Sequence, residues 1–298
     1  MRIFLTGATG QVGSPVLEAS LRGGLRVSAL VRTREQAARL EERGVEPVVG
    51  NLADPDTYRK ASAGFDGYVH AAFENSDRGT EIDRIAIGTL AEAASAPAVL
   101  IYTSGVWVLG QQRTPADETV APKPAPNLAW RLDHERLVLG SATKRLRAIV
   151  VRPGIVYGGW RGLVADLFKD ASNGLMRVIG SGENHWPLVY HRDLGELYVR
   201  LMTDASASGL YHVNDEGDER VIDVVEAIAG AMTVRPEFRF MPIEEARAKM
   251  GSYADALALD QRMRSPRARA LGWTPGLRSV AGSVGRLLEE WRRGRDAA

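Results

Sequence analysis

The first residues able to do chemistry form a glycine-rich turn near the start of the chain. Thr6-Gly7-Ala8-Thr9-Gly10-Gln11-Val12-Gly13 follows a short apolar run and leads into residues of helical period. Glycine at 7 permits a tight turn, glycine at 10 lets backbone N–H groups approach a pyrophosphate, and glycine at 13 lets the helix pack closely on a sheet. The helix start then offers its partial positive charge to the phosphates. Gly7, Thr9, Gly10, Gln11, Val12 and Gly13 are therefore expected to hold the pyrophosphate of a dinucleotide. The second apolar run ends in Val31-Arg32-Thr33-Arg34, with no carboxylate to bond the ribose hydroxyls of NAD. A guanidinium suits a ribose 2′-phosphate instead, so Arg32 favours NADP over NAD.

The elements that must position this turn follow from periodicity. Strands are expected at Arg2–Leu5, Val27–Val31, Val45–Val49, Tyr68–His70, Val99–Thr103 and Arg147–Val151. Val12, Val16, Leu17 and Leu21 recur at helical spacing up to Gly23-Gly24, and Arg34–Arg43 reads as a second helix stopped by Gly44. Asp54-Pro55 reads as a cap and first-turn proline of a third helix closed by Gly64. Strands alternating with helices imply right-handed crossovers on a parallel sheet, a doubly wound α/β Rossmann fold. Past Pro153 the rhythm breaks at Gly154, Gly158, Gly159, Gly162 and Gly174. Val199–Met202 and Leu210–Val213 look like a return to the sheet, and residues from about 216 read as a small helical lobe. The expected division is residues 1–153 as the dinucleotide-binding domain, its sheet completed by about 188–215. Residues 154–187 and 216–298 would form a smaller substrate lobe.

Composition narrows the partners. A net charge of +1 gives no electrostatic case for nucleic acid or an anionic membrane. Arg262–Arg269 reads as an exposed basic loop rather than a nucleic-acid site. Cysteine is absent, which removes disulfides, thiolate ligands and cysteine nucleophiles. His70, His134, His185, His191 and His212 show no metal-ligand spacing. No apolar stretch reaches the length of a bilayer span, and the expected compartment is the cytoplasm.

Several further segments carry a family resemblance. Gly50-Asn51-Leu52-Ala53-Asp54, His70-Ala71-Ala72, Tyr102-Thr103-Ser104-Gly105, Arg152-Pro153-Gly154, Tyr157-Gly158 and Leu271-Gly272-Trp273-Thr274-Pro275 join the glycine turn in this. Together they resemble the extended or atypical short-chain dehydrogenase/reductase superfamily, the group containing nucleotide-sugar epimerases and dehydratases, over nearly the whole chain. The resemblance implies that Asn51 and Leu52 flank the adenine, that Ala71 and Ala72 pass the pyrophosphate, and that Thr103 and Pro153 border the cofactor. It also implies a tyrosine acid/base with a lysine four residues later. Here Pro126-Asn127 through Arg131 to Glu135 best matches that frame, placing Asn127 for the tyrosine and Arg131 for the lysine. A frame shifted by three offers Trp130 and His134 and restores neither residue. Asn127 has no titratable proton near neutrality, whereas Arg131 can still position the ribose.

Replacement catalytic candidates are Asp83, as a buried base of raised pKa, Tyr157 and Ser104. Trp107, Trp130, Trp160 and Trp186, with His185 in the loop Gly182–Leu188, fall in segments that line the substrate cleft in relatives. They imply an aromatic or apolar small-molecule substrate. The leading reading is an NADP-dependent oxidoreductase or epimerase-like enzyme acting on a small carbonyl or alcohol with a non-standard proton donor. The alternative is a catalytically silent NADP(H) sensor that regulates a partner protein. Helices at Glu81–Ala94 and Leu128–Gly140 are the family's usual dimer surface, so a homodimer is expected.

Overall fold

The computed structural model describes residues 1–94 and 97–296. Seven strands form one sheet: β1 (Arg2–Thr6), β2 (Arg26–Val31), β3 (Glu46–Val49), β4 (Gly67–His70), β5 (Ala98–Thr103), β6 (Leu146–Pro153) and β7 (Gly209–Val213). Their order is β7-β6-β5-β4-β1-β2-β3, and every neighbouring pair is parallel. The order reverses at β1, between β2 and β4. In an open parallel sheet, ligands bind in the crevice beyond the strand C-termini at such a point.

Buried strands of this kind need apolar cover on both faces. One face packs α1 (Gly13–Arg22), α2 (Arg34–Glu41) and α6 (His191–Thr203) through Val16, Leu17, Ala37, Leu40, Leu194, Leu197 and Leu201. The other packs α3 (Gly79–Ala93) and α4 (Trp130–Gly140) through Ile82, Ala86, Leu90 and Val138. A third apolar cluster builds the lobe beside the strand C-termini. It joins α5 (Leu163–Ser172), α7 (Val221–Gly230) and α11 (Val284–Asp296), with Trp186 and Trp291 buried among them. No helix among the described residues is long and apolar enough to cross a membrane.

Three expectations about elements fail. The third helix is only a single 3₁₀ turn at Pro55–Thr57 followed by turns, because Tyr58 is buried and the chain must reverse at Gly64 to start β4. Val199–Met202 is the last part of α6, not a strand. Its apolar residues belong to a helical stripe of Leu194, Leu197, Tyr198 and Leu201 that four residues alone cannot reveal. The region after 216 is mixed rather than helical, since Glu237–Met241 pairs in parallel with Leu175–Ile179 and Gln261–Met263 pairs with Gln112–Ala116.

Candidate active site

Two clefts meet at the glycine turn. The outer cleft, about 310 Å³, is walled by Thr6, Gly7, Thr9, Gly10, Arg32, Asn51, Leu52, Ala71 and Ala72. The inner cleft, about 270 Å³, is walled by Gln11, Val12, Thr103, Ser104, Trp107, Arg131, Pro153 and Tyr253. Between them they gather every residue assigned to the cofactor from sequence except Gly13.

The turn is held from both sides. Gly7 has φ +78, and a Cβ there would lie 2.6 Å from the Ala71 carbonyl oxygen. Its own carbonyl accepts the Gly10 N–H at 2.8 Å. Gly13 lines neither cleft. A Cβ on it would lie 2.0 Å from the Gly7 oxygen, so its role is to let the turn close. The first turn of α1 has no acidic residue and no side-chain cap, but Ser14 and Val16 already donate to the Gly10 and Val12 carbonyls and Pro15 has no N–H, so the N–H groups facing an anion are those of the turn itself, Gln11 to Gly13. Arg161 adds a charge that sequence reasoning missed: it donates to the Thr9 carbonyl at 2.9 Å and lines the outer cleft. Because 152 positions separate the two residues, only the fold could reveal it. Arg32 is exposed at the rim, and its side chain has no hydrogen bond or ion pair among the described residues. Asn51 caps its own turn by accepting the Ala53 N–H at 3.0 Å.

In the inner cleft, Arg131 stacks its guanidinium over Trp130, 4.5 Å from the ring centre, and over Phe73 at 5.3 Å. Thr103 shares a 2.7 Å hydrogen bond with Tyr198. Ser104 donates to Glu135 Oε1 at 2.5 Å, and Glu135 holds Arg152 through two bonds of 2.9 and 2.5 Å. This buried pair fixes the end of β5 and was not foreseen. Asn127 does not line the cleft; its amide donates to the Ser252 hydroxyl at 2.8 Å.

Asp83 requires correction. It is buried and surrounded: Tyr102 donates to Oδ2 at 2.8 Å, His134 Nδ1 lies 2.6 Å from the same oxygen, and His70 Nε2 lies 3.2 Å from Oδ1. Burial works to raise its pKa, but the hydrogen bonds of His134, then His70 and Tyr102, outweigh it and hold the carboxyl well below the usual range. The expected raised pKa is reversed, and the group lines neither cleft. Tyr157 is likewise a core residue, fully buried with its hydroxyl donating to the Leu277 carbonyl at 3.2 Å. Burial first, and then the Asp215 charge, push its phenol far up. Ser104 does line the inner cleft, but its proton is already given to Glu135.

The aromatic expectations divide. Trp107 lines the inner cleft, and Trp186 lines a further apolar cavity of about 300 Å³ behind it. Trp130 instead stacks on Phe73, with ring centres 5.3 Å apart, outside that cleft. Trp160 sits at the surface under Arg161 and beside α11. His185 is occupied by Asp260 at 2.8 Å and Arg262 at 3.1 Å and reaches neither cleft. Among the described residues no cluster of His, Asp and Glu could hold a metal.

A parallel sheet with a glycine turn at its switch point, flanked by clefts of this shape, defines a dinucleotide-binding protein of the Rossmann class. The NAD dependent epimerase/dehydratase family matches residues 3–214. The chain belongs to that family, whose cofactor is a nicotinamide dinucleotide. It is 31% identical to an uncharacterised protein of Schizosaccharomyces pombe over 92% of this chain and 95% of that one. It is 32% identical to a farnesyl-dihydroquinoline-oxide ketoreductase of Stigmatella aurantiaca over 53% of this chain and 51% of the other. The fold is shared with UDP-glucose 4-epimerase of Thermus thermophilus in complex with NAD, at TM-score 0.81 and 21% identity over 98% of this chain and 99% of that one. It is also shared with the human epimerase family protein SDR39U1 in complex with NADPH, at TM-score 0.78 and 18% identity over 97% and 99%.

Proposed function

We propose that the chain is an NADP(H)-dependent reductase of a carbonyl compound with an apolar body. One observation carries this reading: the cleft runs from the unpartnered Arg32 at one end to apolar walls at the other. Leu163 and Tyr253 line both the inner cleft and the cavity behind it, whose walls include Trp186, Val221, Val225 and Met241. A substrate carbonyl beside Arg131 and Ser104 therefore has an apolar space into which its body extends. Apolar surface placed there contributes about 25 cal/mol per Å² removed from water. Thr9, Gln11 and the backbone N–H groups of the turn from Gln11 to Gly13 would hold the pyrophosphate, Arg32 the 2′-phosphate and Arg131 the nicotinamide ribose. The cofactor supplies the hydride, and the chain supplies position, charge and exclusion of water. The Stigmatella relative, a ketoreductase by name with a farnesylated substrate, supports an apolar substrate class.

A second reading, a silent NADP(H) sensor, is favoured by Asn127 at the tyrosine position and by the occupation of its amide by Ser252. The Arg32→Ala variant tests the cofactor half of the proposal. Loss of a charge-assisted contact worth about 1.5–3 kcal/mol should weaken NADPH by roughly 10- to 100-fold and leave NADH affinity unchanged. Calorimetric titration reads both constants. An unchanged NADPH affinity would remove the 2′-phosphate contact from the proposal.

A further inference from the structure

The family's catalytic phenol is missing at position 127, and the inner cleft shows where another stands. Of the side chains lining that cleft, only Arg131 and Tyr253 titrate. Arginine stays protonated at any working pH and cannot pass a proton on. The Ser104 hydroxyl is committed to Glu135, and the Thr103 hydroxyl to Tyr198. Tyr253 opens α9 (Tyr253–Leu257) in the lobe and lines both this cleft and the cavity behind it. Its ring meets Trp107 edge to face at 5.6 Å, and its hydroxyl has no hydrogen-bond partner among the described residues. The residue before it, Ser252, is the one Asn127 holds at 2.8 Å. The position that lost its tyrosine is thus tied directly to the segment that presents one.

We propose that Tyr253 is the proton donor of the reaction, its phenol offered from the lobe across the inner cleft in place of the tyrosine absent at 127. The inference rests on the reductase reading above. In the step, the substrate's carbonyl carbon accepts a hydride from the reduced nicotinamide, the C=O π pair moves onto oxygen, and that oxygen takes the phenolic proton. Solvent reprotonates the phenolate, since Tyr253 is 45% exposed.

The surroundings suit donation rather than abstraction. Burial, and then the Asp166 carboxylate of α5, push the phenol above its usual value. The other charged groups nearby are Arg131 across the cleft, the Asp170–Arg177 pair in the adjoining cavity, and the Arg247–Asp255 pair on the lobe. Reduction should therefore run at a constant rate through neutral pH and fall only above about pH 10, the ordinary phenol range. Oxidation of the alcohol needs the phenolate, so its rate should climb about tenfold per pH unit up to that range.

The test uses the full-length protein and its Tyr253→Phe variant, which removes one partly exposed oxygen and keeps the ring on Trp107. NADPH oxidation is followed with a panel of benzil, acetophenone and ethyl acetoacetate. For any ketone turned over, the variant should lose about 100-fold or more in kcat with KM and NADPH affinity unchanged. A variant that keeps wild-type kcat overturns the proposal. Ultraviolet difference titration of the phenol, wild type minus variant, gives a readout that needs no substrate. A Tyr253 hydroxyl facing the nicotinamide must titrate at lower pH in the complex with NADP⁺, whose ring is cationic, than in the complex with NADPH. Equal titration in the two complexes overturns the placement. If NADPH binds and no ketone is reduced, the reductase reading fails while this titration still decides where the phenol points.

Discussion

Alanine at position 13 is expected to reduce NADPH affinity by at least about 100-fold while the chain still folds. Its Cβ would lie 2.0 Å from the Gly7 oxygen and 2.5 Å from the Gly7 carbonyl carbon. The turn cannot retreat, because Gly7 already lies against the Ala71-Ala72 backbone on its other side. The clash must be relieved by moving α1 or opening the turn, at a cost of about 1–3 kcal/mol in a packed interior. Either movement takes the N–H groups of the turn, Gln11 to Gly13, away from the pyrophosphate. Two charge-assisted hydrogen bonds lost, at about 1.5–3 kcal/mol each, account for the affinity change. Gly24→Ala is the control. Gly24 also has positive φ, +71, but a Cβ there meets nothing within 4 Å. It should cost a little stability and leave NADPH binding intact. Circular dichroism with calorimetric titration separates the two variants, and equal binding losses would contradict this view of the turn.

Glu135→Ala is expected to be the most destabilising single change near the site, by about 3–5 kcal/mol. Glu135 and Arg152 are 4% and 3% exposed, so truncating the carboxylate leaves a guanidinium buried without a counter-charge. One Arg152 nitrogen, Nη1, is already without a partner. The variant also takes away the acceptor of the Ser104 hydroxyl at the end of β5. Replacing both charged residues together by methionine should recover much of the loss, because the larger part of the penalty is the unpaired charge rather than the missing attraction. Denaturant unfolding of the single and double variants measures this. A single variant within about 1 kcal/mol of wild type would show that the pair is hydrated rather than buried.

The glycine turn could be read from sequence because its physics is local. Six consecutive-frame residues, a preceding strand and a following helix specify it without reference to anything distant. The place of Arg32 at the rim of the outer cleft was legible for the same reason, since a strand end has a defined place relative to the turn. The surroundings of the catalytic candidates were not. Asp83 looked like an available base on a helix. Its real environment is made by Tyr102 of β5, His70 of β4 and His134 of α4, which the fold assembles from separate stretches. Three donors around a carboxylate reverse the effect that burial alone would have, and no spacing along the chain announces them. Arg161 over Thr9 and Tyr253 beside the Ser252 that Asn127 holds depend in the same way on contacts spanning more than a hundred residues.

The tryptophans make the complementary case. Trp107 lies in a 3₁₀ turn, Trp130 opens α4, Trp160 sits in a loop and Trp186 in a two-residue strand, and the local backbone direction decides which ring faces the cleft. Trp107 lines the inner cleft and Trp186 the cavity behind, while Trp130 turns onto Phe73 and Trp160 onto the surface. The family resemblance implied an apolar pocket and could not say which rings make it. The walls that the four were expected to supply come in part from Leu163, Val221, Val225 and Tyr253.

The central claim is that the two clefts form one site for NADP(H), and thermal unfolding with NADP⁺, NADPH, NAD⁺ and NADH tests it most directly. A ligand at a hundredfold over its dissociation constant stabilises the fold by about 2.7 kcal/mol, which raises the melting temperature measurably. At equal concentrations, both phosphorylated forms should raise it more than NAD⁺ and NADH do. No shift with any of the four would mean that the turn at Gly7 holds no dinucleotide, and the account built on it would fall.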